Sequence, residues 1–434
     1  MNKREGITFI DLFAGIGGFR LGFEQACNEK GILPKCVFSS EIKEHALKVY
    51  KDNFGNHIVH GDITNFNEKE IPDFDVLLAG FPCQSFSSAG KRMGFLDTRG
   101  TLFFHIERIL REKKPEAFIL ENVEGLVTHD KEDKKKIIGR TFETILSILE
   151  GMGYRVSYKI LNAKNVGLAQ DRKRIVIVGT KNKFINLDEI EEKHKPLNEF
   201  LERDLKTMDT KLTKLLFSHF SKEKLYGKSV KDKRGGSNNI HSWDIGLKGE
   251  VSLEQKELLE KLLRERRKRT WAKKKEIPWM DGMPLTIEEI KTFYDKSNLK
   301  GMLDDLVSKG YLAYEPPKNI STKKIGETMI QFRKHDWTKE KGYNIITGKL
   351  SFEISKILDP KNVAPTLVAT DLSKLAVIDG EGLRRLSLRE GLRLFGFPEN
   401  FKMDISTTKG YDLLGNTIAV PMVRAVSKRL LSEL

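Results

Sequence analysis

The sequence predicts an α/β protein in which a doubly wound, mostly parallel sheet is accompanied by a second, smaller domain. Three observations carry this. Over the first 180 residues, short apolar runs alternate with amphipathic segments, the rhythm of βα units. A glycine-rich turn follows the first apolar run directly, as where backbone must approach a ligand or a packing partner closely. Beyond about Thr180 the rhythm stops and the chain turns Lys-rich, which marks a boundary.

The candidate strands, in order, span residues 8–13, 35–39, 76–79, 117–121, 154–161 and 175–179. Between them, 19–29, 102–113 and 136–152 place apolar residues at three- and four-residue spacing, the pattern of helices packed on a sheet. In the middle of the chain, Leu258, Leu259, Leu262 and Leu263 form one helical stripe ahead of the basic run 264–275. A helical pair over 286–295 and 299–309 leads to a short apolar segment at 311–314. From about Arg384 the pattern is helical again and closes with an apolar stretch over 418–431. The expected division is 1–181, 182–383 and 384–434, with the last segment returning to the first domain.

The chain has 434 residues, 39% of them hydrophobic and 32% charged, enough for one sizeable core and a second smaller one. Its apolar runs are strand-sized, far short of the ~18 residues a membrane helix needs. The charged residues 1–6 lead straight into a strand, so the expectation is a cytoplasmic protein without a signal peptide. Cys27, Cys36 and Cys83 lack the paired spacing of a zinc site and are too few for a disulfide framework, so no metal is expected. The formal charge of +15 divides as about +3, +9 and +3 over residues 1–180, 181–360 and 361–434. A basic middle between near-neutral ends suggests that binding to a polyanion and chemistry are separated.

Four motifs carry chemistry. Phe13 to Gly18 forms the glycine turn, which serves either a cofactor or tight helix packing; Glu41 and Asp62, at the ends of the next two strands, suit a ribose and an adenine edge. Cys83 follows Pro82 in the loop after the 76–79 strand, where such folds place active sites, and its thiolate is the candidate nucleophile. Glu121, leaving an apolar strand, is either a desolvated general acid or a solvated strand end. Gln170-Asp171-Arg172-Lys173-Arg174 offers forked donors for phosphate and a base carbonyl, or a solvated edge.

The order of these motifs, with Glu121-Asn122-Val123, a variable basic insert and Gly415-Asn416-Thr417, resembles the C5-cytosine DNA methyltransferase family over roughly residues 6–181 and 384–434. The resemblance implies the Rossmann-like, doubly wound sheet of S-adenosylmethionine-dependent methyltransferases with a smaller target-recognition domain. It implies that Phe13, Gly15, Gly17, Glu41, Asp62, Pro82, Leu102 and Asn416 line the S-adenosylmethionine site. Cys83 would attack C6 of a flipped-out cytosine, Glu121 would protonate N3, Arg174 would hold O2, and Arg172 would contact the backbone beside the base. Gln84 and Ser87, in the loop after Cys83, are expected to touch DNA.

Readers of the DNA sequence are expected in 234–243, including Arg234, Asn238 and His241, where a plain surface loop is the alternative; Arg266 and Arg267, in the run 264–275, are expected on phosphates, with a merely solvated face as the alternative. The middle region resembles recognition domains of bacterial modification enzymes acting on GGYRCC-type sites, which implies duplex DNA as partner, a cognate restriction endonuclease and a monomer. Leu388 and Gly391 stand where the family's block after the recognition domain has Pro and Cys. Methylation of transfer RNA, and DNA binding without catalysis, are the competing readings; the long basic insert favours DNA over RNA, and the full set of catalytic residue types favours an enzyme.

Overall fold

The computed structural model describes all residues except 1–4, 56, 83–101, 132–135, 234, 279–281, 326–327 and 348–351. The chain divides into two compact units. One comprises Met1–Glu202, Asp359–Ser373 and Leu386–Leu434, the other Arg203–Leu358 and Lys374–Arg385. Among the described residues no helix is long and apolar enough to cross a membrane.

The first unit is built on a seven-stranded sheet: β1 (Gly6–Leu12), β2 (Leu33–Ser40), β3 (Val59–His60), β4 (Val76–Gly80), β5 (Ala117–Val123), β6 (Arg155–Asn162) and β7 (Lys173–Thr180). Their order is β3-β2-β1-β4-β5-β7-β6, parallel except for β7, which runs antiparallel to both neighbours. The central strands read as near-continuous apolar runs because helices cover both faces. Phe9, Ile10, Leu77, Leu78, Phe118, Leu120, Ile175 and Ile177 are all buried. The order reverses between β1 and β4, and a crevice opens there at the carboxyl ends of the strands.

Four helices follow strands in this unit: α1 (Gly18–Glu29), α2 (Glu44–Phe54), α3 (Leu102–Lys113) and α4 (Arg140–Gly151). Helix α1 packs on the closing helix Val420–Leu431 so tightly that a Cβ at Gly22 would lie 2.6 Å from Val423. Of the two departures near Arg389, Gly391 has a local explanation and Leu388 has none in the structure. The helix Leu388–Phe395 starts with a capping box in which the Ser387 hydroxyl accepts from the Glu390 amide and the Glu390 carboxylate accepts from the Ser387 amide. Gly391 faces the helix Thr407–Asn416, where a Cβ would come within 2.4 Å of Leu414 Cδ1.

The second unit has two apolar cores. Trp243, Leu258, Leu259, Leu262, Leu263, Leu303 and Tyr311 belong to one; Leu216, Val230, Ile354, Ile357 and Leu383 belong to the other. Its five-stranded sheet is built of short strands and mixes parallel and antiparallel pairs.

Candidate active site

A cavity of about 410 Å³ lies in the first unit, at the carboxyl ends of β1, β2, β4 and β5. Its wall includes Phe13, Gly15, Glu41, Asp62, Pro82, Leu102, Glu121, Arg172, Arg174 and Asn416, residues scattered over four hundred positions of chain.

The turn after β1 is shaped by backbone conformation. Phe13 itself is left-handed, with φ 56°, as are Gly15 at 55° and Gly17 at 83°. Ala14 donates its amide to the Ser40 carbonyl (2.9 Å), which ties the turn to the end of β2. A Cβ at Gly15 would meet nothing, so this glycine leaves the cavity open. Gly17 is different. It caps α1, does not reach the cavity wall, and a Cβ there would strike the Phe54 ring at 2.2 Å. Packing against Phe54 thus requires a glycine at position 17, apart from its expected place in the cofactor site.

Glu41 turns back on the main chain. One carboxylate oxygen accepts from the Gly15 amide (2.8 Å) and the other from the amides of Ile42 and Lys43 (2.8 Å each). Asp62 caps a short 3-10 turn, accepting from the Thr64 amide at 2.9 Å. Asn416 donates to the carbonyl (2.8 Å) and carboxylate (3.1 Å) of Asp412, which Lys43 and His45 also hold. Two rigid carboxylates thus stand among Phe13, Ile42, Ile63, Pro82 and Leu102. Fixed acids beside apolar walls fit a nucleoside: hydroxyls for the carboxylates, a flat base for the apolar side chains.

The opposite part of the wall is ionic. Glu121 leaves β5 opposite Gly80 of β4, while Arg174 starts β7 opposite Val123. The Arg174 Nε meets a Glu121 oxygen at 2.8 Å, with both side chains nearly buried. Burial pushes the Glu121 carboxyl above its ordinary value, although Arg174 and Arg172 pull the other way. A buried acid of this kind keeps a proton at higher pH than a solvated one, as a general acid must.

Arg172 lies on the cavity wall but turns most of its donors inward. It is 2% exposed; its guanidinium donates to the carbonyls of Leu367 (3.1 Å), Gly415 (3.3 Å) and Thr417 (2.9 Å) and lies over the Phe395 ring. These bonds fasten the chain that carries Asn416, a role beyond the contact to a DNA backbone expected of Arg172. Gln170 acts similarly, donating to the Leu394 carbonyl (3.0 Å) and accepting from the Leu367 amide (3.2 Å). Sequence reasoning missed this pair of clamps, and missed Asn122, whose buried carboxamide donates to the Phe81 carbonyl (3.2 Å) just before Pro82. Cys83, Gln84 and Ser87 lie outside the described residues, as does Arg234.

In the second unit, two expected DNA contacts are buried. His241 is 6% exposed, stacks on Trp243 at 4.4 Å and pairs with Asp244 (3.1 Å). Arg266 is 4% exposed and donates to Asn344 Oδ1 at 2.6 Å, while Asn344 donates to Glu315 (2.9 Å). Both expectations are corrected for the same reason: their polar atoms are used inside the unit. Asn238 is exposed and Arg267 half-buried. No group of three or more His, Cys, Asp or Glu side chains suited to a metal occurs among the described residues.

The family model described as C-5 cytosine-specific DNA methylase matches residues 7–432. The chain belongs to that family. It is a DNA (cytosine-5) methyltransferase, and its relatives are Type II modification enzymes. A Neisseria lactamica protein described as Type II methyltransferase M.NlaIV is 55% identical over 428 residues, 99% of each chain. Type II methyltransferase M.BanI of Aneurinibacillus aneurinilyticus is 39% identical, over 98% of this chain and 95% of the relative. Among solved structures, the Entamoeba histolytica methyltransferase EhMeth superimposes with a TM-score of 0.54 at 17% identity, over 99% of each chain. That likeness speaks to fold: the seven-stranded sheet of this methylase is the Rossmann-like sheet of methyltransferases.

Proposed function

We propose that the methylase binds S-adenosylmethionine in the 410 Å³ cavity and methylates C5 of a cytosine flipped out of a specific duplex DNA site. Phe13, Gly15, Glu41, Asp62, Pro82, Leu102 and Asn416 hold the cofactor, which supplies an electrophilic methyl group. The remaining work belongs to the protein. C5 of cytosine is a poor nucleophile, so the Cys83 thiolate adds to C6 and forms an S–C6 bond, which makes C5 enamine-like. Glu121 gives a proton to N3 as charge develops there, and Arg174 both binds O2 and holds Glu121 in place. After C5 is methylated, a base takes its proton, the freed electron pair forms the C5–C6 double bond, the S–C6 bond breaks to regenerate the thiolate, and N3 returns its proton to Glu121.

The observation that carries this reading is the Glu121–Arg174 ion pair on the wall of the same cavity as Phe13, Glu41, Asp62 and Pro82, the residue before Cys83. The second unit is the target-recognition unit. The site it reads is of the GGYRCC type, the protein acts as a monomer in the cytoplasm, and its methylation shields DNA from a cognate restriction endonuclease.

Bisulfite sequencing of plasmid DNA from a host expressing the protein tests substrate, site and methylated position together. Methylated cytosines confined to GGYRCC sites are expected; methylation elsewhere overturns the site assignment, and labelling of RNA alone by labelled S-adenosylmethionine overturns the substrate. Replacement of Cys83 by Ser is expected to abolish transfer. Unchanged transfer removes Cys83 from the mechanism.

A further inference from the structure

Residues 318–335 form a ribbon that belongs to neither core of the second unit. Its two eight-residue strands, Lys318–Ile325 and Thr328–His335, make a sheet of their own, in continuous antiparallel register from the Lys318–His335 pair to the Ile325–Thr328 pair. At roughly 3.4 Å per residue, such a ribbon reaches about 25 Å from its root. The root is well tied. The Asp336 amide donates to the Pro317 carbonyl (2.9 Å), Asn319 donates to the Asp336 carboxylate (3.2 Å), and His335 meets Glu315 (3.0 Å), the residue that also receives Asn344.

Beyond the root, each face carries an exposed apolar side chain among the described residues. Ile320 and Phe332 point to opposite faces, since Ile320 pairs with Arg333 and Phe332 with Ser321, and they are 40% and 42% exposed. An isolated two-stranded ribbon with apolar side chains exposed on each face is marginal in water and gains from a partner. The partner's sign is set by charge: Lys318, Lys323, Lys324, Arg333 and Lys334 stand against Glu327 alone, a net +4 over 18 residues.

The register also sorts side chains by face. Lys318, Thr322, Gln331 and Arg333 share one face, all exposed, with Gln331 directly opposite Thr322. Gln331 and Arg333 are two residues apart on one strand, ~6.8 Å, or about two base-pair steps. Arginine reads guanine and glutamine reads adenine by paired hydrogen bonds in the major groove, whose ~12 Å width admits a two-stranded ribbon.

We propose that the ribbon enters the major groove of the duplex substrate, with Arg333 and Gln331 at base edges and Lys323 on the opposite face at a phosphate. This rests on reading the second unit as the recognition unit.

The test uses the full-length protein, plasmid DNA and a bisulfite map, with the wild-type protein run first. If the wild type methylates no plasmid cytosine, the functional reading fails on its own account. Given wild-type methylation, the double variant Arg333→Ala/Gln331→Ala is expected to lose about 10- to 100-fold in kcat/KM at the wild-type sites and to spread methylation to related sequences. Its binding of S-adenosylmethionine and its unfolding midpoint are expected to match wild type. Lys323→Ala is expected to leave the site map unchanged and reduce the log–log salt slope of DNA binding by about one. A double variant with wild-type kcat/KM and an unchanged map overturns the proposal.

Discussion

The crevice of the first unit and the basic second unit contain the same kinds of polar residue, yet the two regions use them in opposite ways. In the crevice, Glu41, Asp62, Glu121 and Arg174 sit at strand ends, where the sheet fixes their backbone and aims them into one cavity. In the second unit, His241 and Arg266 come from a loop and a helix end and are consumed by internal partners, a tryptophan ring with Asp244 in one case and Asn344 in the other. What separates the regions is the scaffold beneath the side chain. A strand end in a parallel sheet has a known orientation relative to the crevice, whereas a polar loop has none.

The contrast is broken most severely by removing an acid at a strand end. Glu121→Gln is expected to lower kcat by about 10²- to 10⁴-fold, the range for a general acid, with little change in thermal unfolding. Its partner sharpens the assignment. Arg174 holds the Glu121 carboxyl down against the effect of burial, so Arg174→Ala moves that carboxyl higher still. Because the protonated form is the active one, the limb on which kcat falls with rising pH is expected to shift to higher pH in the variant. A limb that stays in place separates the pH dependence from Glu121.

Second in size is the effect of removing a buried arginine. Arg172→Ala strips donors from three main-chain carbonyls and Arg266→Ala strips one from Asn344; each is expected to cost about 2–4 kcal/mol of stability. For Arg266→Ala, chemical denaturation should reveal the loss while the salt slope of DNA binding stays at the wild-type value. A slope reduced by about one, with stability intact, would return Arg266 to the phosphates.

Legibility in the sequence follows the same division. Apolar runs marked six of the seven strands, most plainly β1, β4, β5 and β7, which are largely buried, whereas the edge strand β6 alternates exposed and buried residues. Val59–His60, two half-buried residues, carries no such run and was located only by Asp62 beyond it. Helix α2 lacked a distinguishing stripe, with only Ala46, Val49 and Tyr50 buried along it. Within the cavity, the acids, Pro82 and Val123 were legible as motifs, but Ile42 and Ile63 were not: they line the wall only because each sits one residue beyond a strand-end acid. The clamps Gln170 and Arg172 looked like ligand groups because a buried arginine and a phosphate-binding one are the same residue type, and only the carbonyls of Leu367 and Thr417, about two hundred residues away, distinguish them. The ribbon was missed for a related reason. Its described side chains are mostly exposed, so its brief alternation, Ile330 to Arg333, is too short to mark two strands.

The smallest effect concerns the support beneath the glycine turn. Asp11 on β1 is fully buried, with the Arg20 backbone as its nearest donor among the described residues. Burial pushes its carboxyl well above the ordinary value near 3.8, with Arg20 opposing and Glu24 and Glu41 adding to the rise. The folded protein therefore binds this proton at pH values where the unfolded chain has lost it. Between the ordinary carboxylate value and the raised one, stability falls as pH rises, because the folded state retains more protons than the unfolded state. Asp11→Asn keeps the shape and removes the titration. The variant is expected to match wild type near pH 4 and to exceed it progressively on the alkaline side, as read by denaturant midpoints across the pH range. Parallel pH profiles for the two proteins would mean that Asp11 is charged in the folded state and is stabilised there by Arg20, which would make the base of the turn an ion pair.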